Sequence, residues 1–302
     1  NVNNETPFIT LVFNAAGDLD TGYFKLKPGA EKTQDEPSKE RWSKELIDMG
    51  WMEGVGGSFD ISVGKLIHDG RSYDRFKMKS YLNNKTLTLQ SLSFGYWDGR
   101  VDMTGSIIGG KVPGVSLGFT LTNCDIGQII QSFTPRDNIS GRLGVSGTLS
   151  TSGVNALSWA QQAESKLVLN GVGVVVDRFD LQGVVDTVSV SRTTADVVNN
   201  VGRVLEKGAT EFSLEGNLNV KNGVVKTPGI TLKSGNMLGN LTGEIGLVPW
   251  TMSLSTLFQF PMLASETVPT MVVELEGPVD EPALRLDTDS LEAYVSKRIV
   301  GQ

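Results

Sequence analysis

One cysteine and one histidine in 302 residues leave little for the most common catalytic pairings. With only Cys124, no intrachain disulfide can form and no metal site built on several thiolates is possible, so the residue reads as a buried free thiol. His68 falls in the polar run Ile67-His-Asp-Gly-Arg71, which reads as a turn carrying a surface imidazole. Walker loops, Gly-x-Ser-x-Gly elbows and HExxH motifs are all missing, and no pair of carboxylates stands out among the many Asp and Glu residues. The chain therefore reads as a non-enzyme without a cofactor. A formal net charge of −7 and the lack of a Lys/Arg stripe argue against a nucleic-acid partner. No apolar run approaches the roughly 20 residues that span a bilayer as a helix; the longest are Gly171 to Val176 and Thr270 to Leu275.

What the chain has in quantity is glycine, 35 residues, against only 20% charged side chains, a balance that leans toward a turn-rich β protein. A short pattern recurs in Gly57-Ser-Phe59-Asp-Ile61, Gly141-Arg-Leu143-Gly-Val145, Gly216-Asn-Leu218-Asn-Val220 and Gly243-Glu-Ile245-Gly-Leu247. Alternation puts the apolar side chains on one face of a strand, and glycine lets the strand begin, bend or bulge. The length allows two domains or one elongated sheet. The opening Asn1-Val-Asn-Asn, without Met or a charged-then-apolar leader, reads as the interior of a longer protein, with any anchor upstream.

The spacing predicts a first strand over Pro7 to Phe13, a mixed-charge loop from Lys25 to Glu40 and a short helix from Ser38 to Met49. Asp18-Leu-Asp20-Thr-Gly22 resembles part of a calcium loop but lacks its third acidic position and downstream Glu, and reads as a turn. Strands follow at 59–63, 75–81, 86–90, 92–96, 100–107 and 115–121. Asn83-Asn84, Asp98-Gly99 and Asn222-Gly223 supply tight turns. A parity change across Gln90-Ser91 predicts a bulge that helps a sheet curl. Helices are predicted over 125–133, capped by Thr122 or Asn123, around 155–162, as one long element over 179–206 rich in valine, and over 290–298. Further strands are predicted at 142–149 and 166–176, then in an alternating block from Phe212 to Leu275. The organisation expected is one region, 1–302, made of a lead-in (1–50), a first β block (51–178), a helix (179–208) and a C-terminal β block with a terminal helix (209–302).

The C-terminal block carries a resemblance. Thr210 to Gly216, Lys221-Asn-Gly-Val-Val225, Ile230 to Ser234, Gly239 to Leu247 and Val268 to Pro278 follow the order strand, Asn-Gly turn, strand, Gly-rich strand, and an apolar strand ending in Gly-Pro. That order resembles the AsmA family of bacterial envelope proteins, relatives of TamB. Trp51 to Asp102, with Leu87-Thr-Leu and the aromatic-glycine turn Tyr96-Trp-Asp-Gly99, is similar to the preceding family segment. The resemblance implies a mainly β protein with a few helices. Its body would be a strongly curved, elongated antiparallel sheet, a U-shaped groove capped or flanked by short helices. It further implies a periplasmic body anchored in the inner membrane of a Gram-negative bacterium, moving phospholipid toward the outer membrane. The implied partners are phospholipid or another acyl-chain lipid, the two membranes and envelope assembly proteins.

An apolar trough suits such cargo, because each exposed acyl methylene costs about 0.8 kcal/mol. The residues expected to line it are Leu87, Leu89, Val115, Leu117, Phe119, Phe212, Leu214, Leu218, Val220, Ile245, Leu247, Met252, Leu254, Phe258 and Phe260. Any one of them taken singly reads better as ordinary core; the expectation belongs to the set. Two other functions stay open. One is a scaffold or regulator of outer-membrane protein targeting and assembly that pairs exposed sheet edges with client strands; the other is a carbohydrate-active β solenoid.

Overall fold

A computed structural model describes residues 8–20, 41–68, 70–263 and 267–300. Among these residues fourteen strands form one open sheet in sequential order, with five helices. The strands are β1 (Phe8–Asp20), β2 (Gly56–His68), β3 (Arg71–Asn83), β4 (Thr86–Tyr96), β5 (Gly99–Ile108), β6 (Gly114–Asp125), β7 (Ile139–Ser152), β8 (Glu164–Asp177), β9 (Ala209–Lys221), β10 (Val224–Ser234), β11 (Met237–Gly246), β12 (Thr251–Gln259), β13 (Thr270–Pro278) and β14 (Ala283–Asp287). The helices are α1 (Ile126–Gln131), α2 (Ala156–Gln162), α3 (Leu181–Val190), α4 (Thr194–Leu205) and α5 (Asp289–Val300). The chain divides into two compact units. The first holds the described residues of Asn1–Cys124, Ser146–Lys166 and Val220–Gly223; the second holds those of Asp125–Val145, Leu167–Asn219 and Val224–Gln302.

Several local expectations need correcting. The Lys25–Glu40 loop lies outside the described residues, as do Pro7, Thr21, Gly22 and the first part of the 38–49 helix. Asp18 and Asp20 sit in β1 and not in a turn. Residues 41–49 are not helical. Ser43 and Asp48 accept hydrogen bonds from the backbone N–H groups of Glu45 and Gly50, an alternative to helix that short polar side chains offer. Ile47 N–H also donates to the Val154 carbonyl at 2.8 Å, and the Ser43 carbonyl accepts from Leu157 N–H at 3.1 Å, tying the stretch to the start of α2. The pairing of β1 with β2 is parallel, whereas an antiparallel sheet was expected; the long connection from 21 to 55 is enough for a crossover.

Two turns shift by one residue. Positive φ falls at Asn84-Lys85 and Trp97-Asp98, because the pairs Asn83↔Thr86 and Tyr96↔Gly99 close two-residue loops around them. Asn222-Gly223 turns where expected. Asp125, not Thr122 or Asn123, caps α1 by accepting from Gln128 N–H. His68 ends β2 opposite Arg71 and is exposed. Cys124 is a buried thiol in no disulfide, with Sγ 3.8–3.9 Å from the carbonyls of Tyr96, Arg100 and Thr122. The sequence reading also passed over β14, which pairs with β13.

The long valine-rich helix is two helices. At the break, Thr193 accepts from Asp196 N–H, while the Asp196 carboxylate accepts from the backbone N–H groups of Arg192 and Thr193, forming a capping box that starts α4. Those bonds, first that from Arg192, hold the Asp196 carboxyl below the usual range. β-branched residues form helices poorly, and packing compensates: Val184, Val185 and Val188 of α3 and Val197 and Val201 of α4 are buried. They join Leu205, Leu291 and Val295 on a core with Phe212, Phe258, Phe260 and Met271. Arg298 of α5 secures this layer. Its Nη1 donates to the carbonyls of Val188 (3.3 Å) and Ser189 (2.9 Å), its Nη2 to that of Ser191, and its guanidinium lies 5.5 Å from the Tyr294 ring centre. Cations suit the carbonyl-rich end of a helix. Arg298→Ala should cost about 1–3 kcal/mol by urea titration, and Arg298→Lys, without the planar fork, should recover only part of it; full recovery by Lys would refute the forked contact.

One arrangement occurs in both units. In β4–β6, Leu89↔Gly105↔Leu117 and Leu92↔Met103↔Phe119 are in register, with an extra residue on β4 between the two rows. In β10–β12, Thr227↔Gly243↔Leu254 and Ile230↔Leu241↔Thr256 repeat it, again with the irregularity on the first strand. The glycine opposite each bulge has positive φ, +142° at Gly105 and +131° at Gly243. Met103-Thr-Gly-Ser-Ile107 and Leu241-Thr-Gly-Glu-Ile245 match in sequence as well. A Cβ on Gly105 would lie 2.1 Å from the Ser116 carbonyl oxygen, and one on Gly243 2.2 Å from that of Ser253. Gly105→Ala and Gly243→Ala should each destabilise by about 1–3 kcal/mol in chemical denaturation; unchanged midpoints would show that the bulge geometry is not held.

Candidate functional site

The register of the first unit sorts its side chains onto two faces. On one, Phe13, Ile61, Met78, Leu92, Met103 and Phe119 lie directly opposite one another across β1 to β6. Beside this line run Phe59, Ser80, Leu89, Gly105 and Leu117 on one flank, and Val63, Phe94, Val101 and Leu121 on the other. The bulge in β4 is what keeps Leu89 and Leu92 on the same face despite their odd spacing. Along β2 to β6 the central line is half-buried, and none of its members belongs to the fully buried core. Buried side chains stand toward the strand ends, with Met52, Leu82 and Leu89 at one and Val63, Val101 and Cys124 at the other. Aromatic rings cluster near the second end, where Tyr73 meets Phe94 edge-on at 5.2 Å, Phe76 stacks on Phe94 at 6.3 Å and Tyr96 touches Trp97 at 4.5 Å.

The second unit has the same sidedness. Ile245↔Met252 and Leu254↔Leu275↔Leu284 are half-buried or exposed, whereas Phe258↔Met271, on the same face, is sealed beneath α3 to α5. Phe179, Phe212 and Phe258 form a triad with ring centres 5.5–6.3 Å apart.

The residues expected to line a trough therefore separate into two environments. Leu87, Val115, Leu117, Phe119, Leu214, Leu218, Val220, Ile245, Met252 and Leu254 are half-buried on apolar strand faces. Leu89, Phe212, Phe258 and Phe260 are buried, the last three in the helix-covered core. Leu247 lies past the end of β11, in the turn to β12. The residues expected to line the trough do not include Ile61, Met78, Leu92 and Met103, the middle of the central line. The alternation Lys77-Met-Lys79 was the available signal.

The opposite face of the first unit is polar. Lys79 pairs with Asp60 across strands at 3.2 Å, and Arg100 grips Asp102 through two hydrogen bonds of 2.7 and 2.8 Å. That hydrogen bonding holds the Asp102 carboxyl below its usual range and raises the Arg100 guanidinium, so both stay charged at neutral pH. No group of three or more His, Cys, Asp or Glu side chains suited to a metal ion occurs among the described residues. No helix of the described residues is long and apolar enough to cross a membrane.

No family model, no curated protein and no solved structure matches this chain.

Proposed function

We propose that the apolar faces of this chain shield lipid acyl chains. The observation that carries the reading is the in-register line from Phe13 to Phe119, with the half-buried state of its β2–β6 members. Side chains of an ordinary core close over one another; these leave apolar surface that a second apolar body can cover. Six strands about 4.8 Å apart give a line of about 24 Å, longer than the roughly 15 Å of one leaflet's hydrocarbon. Contacts of similar, modest strength along the line would let an acyl chain slide.

With the AsmA-like order of strands and turns, the proposal extends to a non-enzymatic, periplasmic segment of an inner-membrane-anchored protein that conducts phospholipid toward the outer membrane. The sheet would curve strongly around its apolar side. The test is mass spectrometry of lipids extracted from the purified chain. Stoichiometric phospholipid supports the proposal, and a lipid-free protein refutes it.

Assembly of outer-membrane proteins through a sheet edge is the second reading, and β1 favours it. This edge strand exposes apolar side chains on both faces, among them Phe8 at 59% and Val12 at 63%. Among the described residues no strand pairs with its outer side, and such an apolar edge is a template for another strand. Lipid-free protein that instead captures unfolded barrel strands, and loses them when Val12→Pro blunts the edge, would favour this reading.

A further inference from the structure

The polar face of the first unit has its own organisation. Asn14, Ser62, Lys77, Ser93, Asp102 and Thr120 stand in register, one per strand from β1 to β6. A cavity of about 870 Å³ lies over this line and reaches Ser146 and Thr148 of β7. Its volume falls within the range of small-molecule sites; most of its lining residues carry hydroxyl, amide or charged side chains, and Ile61, Met78, Leu92, Met103 and Phe119 border it as well. Four of the charges cancel in the pairs Lys79–Asp60 and Arg100–Asp102. The Lys77 side chain, exposed between Ser62 and Ser93, makes no ion pair or hydrogen bond among the described residues, and leaves the cavity one positive charge in a chain of net charge −7.

We propose that this cavity binds an extended acidic glycan, with one sugar ring over each strand and a carboxylate of the glycan on Lys77. Adjacent strands lie about 4.8 Å apart, close to the advance of one ring along an extended 1,4-linked chain, so each ring meets a fresh hydroxyl or charged group. Among the described residues Phe119 alone of the aromatic residues borders the cavity, and its ring belongs to the opposite-face line. Ring stacking is thus absent, and hydrogen bonds and charge must hold the ligand, which favours an acidic chain over a neutral one. An extended peptide gains most from a free sheet edge, which a paired interior face does not offer. A nucleic acid needs several uncompensated cations, and here there is one.

The experiment is isothermal titration of the full chain with a 1,4-linked uronate hexamer, beside maltohexaose and inorganic phosphate. The hexamer should bind saturably, about tenfold more weakly to Lys77→Glu, a change of about 1.4 kcal/mol, and more weakly in about 0.5 M salt. Ser93→Glu, which sets a carboxylate beside the lysine, should weaken it similarly; circular dichroism confirms that both exposed-face variants are folded. Absence of saturable binding overturns the proposal, as does binding indifferent to both variants. Maltohexaose binding as tightly removes the role of charge, and phosphate binding as tightly leaves only an isolated anion contact; either result overturns the glycan assignment. Lipid content of Lys77→Glu reports separately on the apolar face and should not change.

Discussion

Phe258→Ala is expected to destabilise the second unit by about 3–5 kcal/mol, whereas Phe119→Ala should cost the first unit only about 1 kcal/mol. The two phenylalanines both lie on alternating strands of one sheet, and their sequence surroundings are alike. Phe258 is 2% exposed and touches the rings of Phe179 and Phe212, with α3 to α5 above it. Truncation there leaves a cavity that packed neighbours cannot fill. Phe119 is half-buried beside Met103, and water can reach the space its ring leaves. Urea titration followed by circular dichroism measures the difference. Equal costs would mean that Phe119 is sealed as firmly as Phe258, and the open-face reading of the first unit would fall.

The second large effect concerns retained lipid. Placing carboxylates at Met103 and Phe119 together should strip co-purifying lipid by at least a hundredfold. Each carboxylate denies the acyl chain contact over three or four methylenes, about 2–3 kcal/mol per site at 0.8 kcal/mol per methylene, and tenfold in retention corresponds to about 1.4 kcal/mol. The side chains are half-buried in the free protein, so the new charges keep contact with water and the fold tolerates them. Ser116→Glu puts the same charge on the other face of β6 and should leave lipid unchanged. Lipid lost from both variants alike would show a general effect of charge. Lipid retained by the folded Met103→Glu/Phe119→Glu protein would refute the apolar line as its seat.

The strands were the most legible part of the chain. Alternation located nearly all of them, and the odd spacing of Leu89 and Leu92 announced the β4 bulge before any pairing was known. The repeated bulge-and-glycine arrangement is legible too, in Met103-Thr-Gly-Ser-Ile107 against Leu241-Thr-Gly-Glu-Ile245, although the recurring glycine pattern includes only the second copy. The break between α3 and α4 stood in Thr193-x-x-Asp196, a capping signal masked by continuous valine spacing. The parallel direction of β1 was not legible, since a long connection permits either direction.

By itself the sequence determined which side chains share a strand face, because the pleat has a period of two and each residue carries that information locally. It also determined the scarcity of reactive cysteine and histidine. Only the tertiary structure decided which apolar positions are sealed and which remain open. Phe258 and Phe119 follow the same local rule, yet Phe258 is sealed in a core that three helices share and Phe119 is only half-buried. Burial depends on what arrives from distant parts of the chain, and no window of residues around either ring records it. The polar line from Asn14 to Thr120 is of the same kind: six residues on six strands become neighbours only once the register is set.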